Sequence, residues 1–345
     1  MTRFHWLVEK RVGAFVPPGG VAPCAGEPGL VDVMCEAELP GCARTLRACL
    51  TMQAAALTDA APRDLGIALA YGDAPGLEWR GPLATALATA FAREGYLVVR
   101  EIGPHSDEVA RQRAFEKCLD TAATSPYGRR IARWLLAGLG NGARVAAVAG
   151  ARARAAVAGQ MLFAYPLAAP MPTIKGSTMP DSAMPLLRLI VPALLVAPGA
   201  DGACPLAALR MALKAATSPD VRLVVAEGTD GSFRAPGAAA VSPELLASLL
   251  RDALAFAAAA AGGRLDDCGL ARVKGPEDGA PTPAQLAAVQ AAHLRMQEED
   301  ALAFQAPPLS LLPPEEEADD AAAGGGGGEQ QQDGTAGGGG GDGGA

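Results

Sequence analysis

Aromatic side chains are scarce in this chain of 345 residues: Phe, Trp and Tyr make up 4% while half the residues are apolar. A core must therefore be assembled largely from small aliphatic groups. Lysine is scarce too, five against 24 arginines, histidine occurs only at 5, 105 and 293, and Asn141 is the sole asparagine. We attribute that bias to a GC-rich genome and not to a site. No Cys-x-x-Cys pair occurs among the seven cysteines (24, 35, 42, 49, 118, 204, 268), and the histidines sit apart from them. That argues against the usual zinc spacings, and no metal or cofactor is implied. The regular spacing of Cys35, Cys42 and Cys49 is broken by Pro40 and Gly41. The thiols read as buried and reduced, which places the chain inside the cell, in cytoplasm or nucleus.

Glu9, Lys10 and Arg11 interrupt the first apolar residues before a signal-peptide core forms. The longest apolar run, from Pro185 to Pro198, carries Arg188 and Pro192 and falls short of the roughly 20 residues that cross a bilayer. It is expected to be a buried strand, and no membrane contact is expected. Charge is unevenly placed: 29 bases against 37 acids give 29 − 37 = −8. The surplus lies in Glu315, Glu316, Glu317, Asp319, Asp320, Glu329, Asp333 and Asp342, so the body is neutral. A whole-domain basic field is thereby disfavoured and no nucleic-acid partner is expected.

Residues 1–62 are rich in turn formers and weakly periodic, and read as an N-terminal elaboration with one or two strands. From Asp64 the pattern becomes regular. Strands are expected at 65–72, 96–103, 132–140, 156–167, 191–199 and 221–228, and helices at 82–95, 107–122, 142–152, 205–217 and 242–261. Strands alternating with helices of this length favour a mostly parallel sheet covered on both faces, a three-layer α/β/α fold over 63–262. Residues 263–310 read as a linker with an amphipathic helix at 281–304. The acidic, Gly-rich stretch 311–345 cannot bury enough apolar surface to offset its ordering entropy and reads as disordered.

The most informative stretch runs from Trp134 through Gly138-Leu-Gly140-Asn141-Gly142 into a helical pattern. A dinucleotide site uses that shape, and Gly138, Gly140 and Ala143 fit its expression. Yet two βα units precede the turn, and no Asp or Glu lies between Asp120 and Asp181 to take a ribose hydroxyl. Arg152 or Arg154 would have to serve a phosphorylated cofactor instead. The other user is the nucleophile elbow Gly-x-Ser-x-Gly, here with its centre changed to glycine.

The surroundings resemble the dienelactone-hydrolase-like branch of the α/β-hydrolases, in particular the testis-expressed and KANL-type hydrolase-like proteins. Ile67–Ala74 resembles that branch's first core strand and its His-Gly-Ala-Gly turn, with Tyr71 in place of His. Arg111-Gln-Arg-Ala114-Phe115 is similar to its Arg-x-x-Ala-Tyr helix. Gly138 to Arg144 resembles the elbow Gly-x-Ser-Met-Gly-Ser-Arg, and Ala164-Tyr165-Pro166-Leu167 its Ser-Tyr-Pro-Leu. The stretch from Pro192 to Asp201 resembles the approach to the acid, and Gly228-Thr-Asp-Gly231-Ser-Phe233 resembles Gly-x-Asp-His-Ser-Phe.

The resemblance implies a triad in the order Ser, Asp, His, and here those positions are Gly140, Asp201 and Gly231. Hydroxyl attack from position 140 is impossible, and no imidazole stands at 231. A register slip of one would put Asp230 there, a poor base near neutral pH. Backbone N–H groups at Gly72, Asp73 and Asn141 are expected to leave a small anion-binding concavity. Cys204 lacks a base in sequence reach. The expectation is a catalytically silent hydrolase-like protein that binds a small ligand in the old cleft, or a protein through the C-terminal helix and acidic tail, in a setting that the resemblance allows to be nuclear. The rival is an active esterase-type hydrolase in which Ser232 or a serine of 177–182 meets His105; dinucleotide binding stands third.

Overall fold

The computed structural model describes residues 4–5, 10–11, 14–15, 21–24, 27–38, 45–57, 64–102, 108–152, 156–167 and 181–274. The chain separates into two units, 1–306 and 307–345, and all the described residues belong to the first. The segment 281–304, expected as an amphipathic helix, the acidic tail and His105 lie outside the described residues.

Four short strands come first: β1 (Phe4–His5), β2 (Lys10–Arg11), β3 (Ala14–Phe15) and β4 (Val21–Pro23). Two nine-residue strands, β5 (Leu30–Glu38) and β6 (Thr45–Gln53), follow. The regular part runs β7 (Leu65–Ala70), α1 (Pro82–Arg93), β8 (Leu97–Ile102), α2 (Glu108–Thr124), β9 (Arg133–Leu139), α3 (Asn141–Arg152) and β10 (Val157–Phe163). It continues with α4 (Met184–Leu187), β11 (Ala193–Pro198), α5 (Leu206–Ala215), β12 (Val221–Ala226), α6 (Pro243–Gly262) and β13 (Arg272–Lys274). Each expected strand and helix from 65 to 261 is present within a few residues of its expected ends.

The sheet has the order β1-β5-β6-β8-β7-β9-β10-β11-β12-β13, with β4 paired to β5. From β8 to β12 all neighbours are parallel, while β5, β6 and β13 are antiparallel. Residues 1–62 are more than an elaboration, because β6 is bonded to β8 from Arg47↔Ile102 to Thr51↔Val98. The signal was there: Val31, Val33 and Cys35 are buried while Asp32, Met34 and Glu36 between them are not, the period of a strand. Met34 on the polar side and the turn-rich flanks obscured it.

Alternation along β7 splits the core in two. Ile67 and Leu69 join one apolar cluster with Leu87 and Phe91 of α1 and Leu249 and Phe256 of α6. Ala68 and Ala70 join the other with Phe115 of α2, Val145 of α3 and Leu213 of α5. The paucity of aromatics is met by pairing large with minimal: a Cβ on Gly66 would sit 2.6 Å from the ring of buried Trp134. Helix α6 is long and apolar enough, by length and composition, to cross a membrane. The apolar run at 185–198 ends in the buried strand β11, and α6 buries Leu249, Ala253 and Phe256 in the same cluster as Ile67 and Leu69.

Candidate functional site at the carboxyl edge of the sheet

Parallel strands deliver their following turns to one edge, so the turns after β7, β9, β11 and β12 are neighbours. The β9 turn is tightest. Gly140 takes φ +55°, its N–H donates to the Phe163 carbonyl at 2.9 Å, and α3 begins at the next residue. A Cβ on Gly138 would lie 2.2 Å from the Gly142 carbonyl oxygen, and one on Gly142 would lie 2.5 Å from that of Tyr71. These two glycines are required by close approach of backbones. Gly140 is different: a Cβ there meets the tip of Leu77 at 3.1 Å and the Gly72 Cα at an ordinary 3.8 Å, so its left-handed backbone is what favours glycine.

Leu77 belongs to the turn after β7. The Gly72 N–H donates to the Leu77 carbonyl at 2.9 Å and the Leu77 N–H to the Ala74 carbonyl at 3.0 Å. The anion-facing N–H expected at Gly72 is therefore spent inside its own turn. The side chain of Asp73, another member of that expected concavity, is held by Arg111 through both guanidinium ends and by Asn141 Nδ2 at 3.0 Å. A carboxylate in that place opposes anion binding. Arg111 stacks 6.0 Å from the Tyr71 ring, which stands where the resemblance puts His.

Across the edge, the β11 and β12 turns are joined by the Ala200 N–H, which donates to the Thr229 carbonyl at 2.9 Å. Asp201 Oδ1 accepts from the Ala203 N–H at 2.9 Å. Its Oδ2 faces Gly231, where a Cβ would stand 3.1 Å from Oδ2 and 3.4 Å from Oδ1. Asp230 is turned into its own loop, accepting from the N–H of Ser232 at 2.8 Å and of Arg234 at 2.9 Å. Burial alone would raise its carboxyl, but those N–H groups and the Arg234 guanidinium hold it below the usual range. So employed, Asp230 does not substitute as a base.

The two halves of the site touch. Ser232 Oγ donates to the Pro75 carbonyl at 3.1 Å, which places Gly231 beside the turn whose Leu77 abuts Gly140. Positions 140, 201 and 231 therefore share one corner of the molecule. Ser232 is buried with its hydroxyl engaged, and Ser182 is buried with its hydroxyl donating to the Leu167 carbonyl. The other half of the rival arrangement, His105, and Ser177 lie outside the described residues. Burial first, then the charge of Asp201, pushes the Cys204 thiol up to about 11, the reverse of an activated cysteine.

No family model and no curated protein matches this chain. Among solved structures, a dienelactone hydrolase from Anabaena variabilis is similar, with a TM-score of 0.50 and 15% identity over 65% of this chain and 95% of that one. The fold is α/β-hydrolase-like. A putative α/β hydrolase from Agrobacterium tumefaciens gives a TM-score of 0.48 and 17% identity over 68% of this chain and 98% of that one. An α/β serine hydrolase homologue from Coxiella burnetii gives 0.47 and 18%, over 64% and 93%.

Three features here had no signal in the sequence: Leu77 against Gly140, Ser232 tied to Pro75, and Asp73 clamped by Arg111. Each joins segments distant in the chain: the first two link turns, and the third links the turn after β7 to α2.

Proposed function

We propose that this chain is a non-catalytic hydrolase-like protein that acts by binding. The carrying observation is the pair of glycines, 140 at the elbow and 231 opposite Asp201: the acid is oriented toward a position with no imidazole, and the elbow holds no hydroxyl. Kinship with the dienelactone-hydrolase-like branch, and within it the testis-expressed and KANL-type proteins, is part of the proposal and rests on the motifs quoted above. So is an intracellular, cytoplasmic or nuclear, setting, which the unpaired and buried state of the six described cysteines supports. The occupant is a small ligand at the corner of 140, 201 and 231, or a protein recognised by the 281–304 segment and acidic tail.

The purified chain is expected to turn over neither short-chain aryl esters nor lactones, and to take no fluorophosphonate label. A label on a serine of the site refutes the proposal. The rival esterase with a relocated nucleophile gains nothing from Ser232 or Ser182, whose hydroxyls already donate to backbone carbonyls.

A further inference from the structure

The starts of the parallel strands form the edge opposite the candidate site, and that edge carries an apolar strip. Ile190, three residues before β11, is 55% exposed. Val191 and Pro192 beside it and Val157 at the start of β10 are half-buried, and Pro219 before β12 is exposed. The loops are tied to each other: the Ser218 hydroxyl donates to the Val191 carbonyl at 2.7 Å and the Thr217 hydroxyl to the Leu187 carbonyl at 2.9 Å. Farther along the edge, before β9, Arg129 and Arg130 are exposed, and no described carboxylate pairs with either. The other exposed large hydrophobics lie elsewhere: Val109 in the first turn of α2, and Met211 on α5 between exposed Arg210 and Lys214.

The described chain also ends at this edge. Lys274 of β13 pairs with Val221, which on its other side pairs with Ala193 at the start of β11. Two strand spacings, about 10 Å, therefore separate Lys274 from β11. Residues 275–280 follow and span up to about 20 Å, enough to bring the start of the 281–304 segment to the strip. The first unit of the chain runs to residue 306, so it takes in this segment and leaves out the acidic tail. As a helix the segment puts Leu286, Val289, His293 and Met296 on one side, and Leu286 to Met296 covers about 15 Å. The starts of β12 and β9 are three spacings apart, about 14 Å. Glu298, Glu299 and Asp300, about 18–21 Å beyond Leu286, then reach the place of Arg129 and Arg130. The order along the segment, apolar and then acidic, matches the order along the edge, apolar and then basic.

We propose that residues 281–304 lie as a helix across the starts of β12, β11, β10 and β9, with the Leu286 side on the Ile190 strip and the acids against Arg129 and Arg130. A helix of this length is marginal alone, and the strip supplies the packing that holds it. The inference goes beyond the non-catalytic reading and does not depend on it. A segment engaged in this way leaves recognition of a protein partner to the acidic tail.

The test is hydrogen–deuterium exchange of the full chain, read by mass spectrometry over 281–304, with strands β9 to β12 as the control for folding. Slowed exchange in the segment, independent of protein concentration, is expected. Ile190→Asp should speed it by about tenfold, through the loss of one apolar contact and the placing of a charge there. Met211→Asp should leave it unchanged. Arg129→Glu with Arg130→Glu should speed it by about twofold to fivefold, the small effect of exposed ion pairs, and adding Glu298→Lys and Glu299→Lys should restore the protection. Exchange at the rate of an unprotected chain, protection indifferent to Ile190→Asp, sensitivity to Met211→Asp, or failure of the charge reversal to rescue overturns the inference. Protection that rises with concentration overturns it in favour of a second copy as the occupant.

Discussion

Gly140 and Gly142 stand two residues apart at the elbow, and alanine at each is expected to have unlike consequences. At 140 the cost is conformational: φ is +55° and the neighbour is the end of a leucine side chain, which can rotate away. A left-handed residue with a Cβ costs about 1–2 kcal/mol. At 142 the Cβ would lie 2.5 Å and 2.6 Å from the carbonyl oxygens of Tyr71 and Ala70, the end of β7, which cannot yield without dragging a central strand. Overlap of that kind belongs with the rare losses of more than about 4 kcal/mol. At roughly 2–4 °C per kcal/mol for a domain of this size, Gly140→Ala should lower Tm by about 2–8 °C. Gly142→Ala should lower it by more than about 10 °C or yield no soluble protein. Thermal unfolding by circular dichroism measures both. A Gly142→Ala protein as stable as Gly140→Ala would refute the assignment of backbone contact to one and backbone angle to the other.

Gly231→His should produce an imidazole with a pKa above the ordinary value of about 6.5, because the Asp201 carboxylate stands beside its Cβ position. The added stability is then full below the unfolded pKa and lost as pH rises through the raised one; NMR titration checks it, and Asp201→Asn should cancel it. Burial raises the thiols of Cys204 to about 11 and of Cys49 to about 12 from 9.0, so the folded chain holds protons that the unfolded chain releases. Stability should therefore decline above pH 9, by about 1.4 kcal/mol per pH unit for each such thiol, in denaturant melts. Rapid alkylation of Cys204 in the native protein at neutral pH would contradict this. Ser232→Ala, which unties the β12 turn from Pro75, should cost about 1 kcal/mol in the same melts.

The alternation of strands and helices from 65 to 261 was legible because each element carries its own period, and the tight turn from β9 to α3 because three glycines at fixed spacing are rare without a backbone reason. The order of the strands was not, since pairing joins segments far apart in the chain, as β6 to β8 does. Within the site, the positions of Gly140, Asp201 and Gly231 were read from motif order, but the state of Gly72 was not. Its N–H faces inward only because Leu77 returns to accept it, a contact made by loop geometry that composition does not encode. The carboxylate of Asp73 likewise enters the site because Arg111 reaches it from α2.

The two nine-residue strands ahead of the regular core bear on how this protein tolerates shortening. A chain begun at residue 63 would strip β8 of its antiparallel neighbour and leave a row of peptide groups, flanked by Leu97, Val98 and Val99, open to any passing strand. Such a fragment is expected to self-associate, and a soluble minimal piece has to start upstream of Leu30.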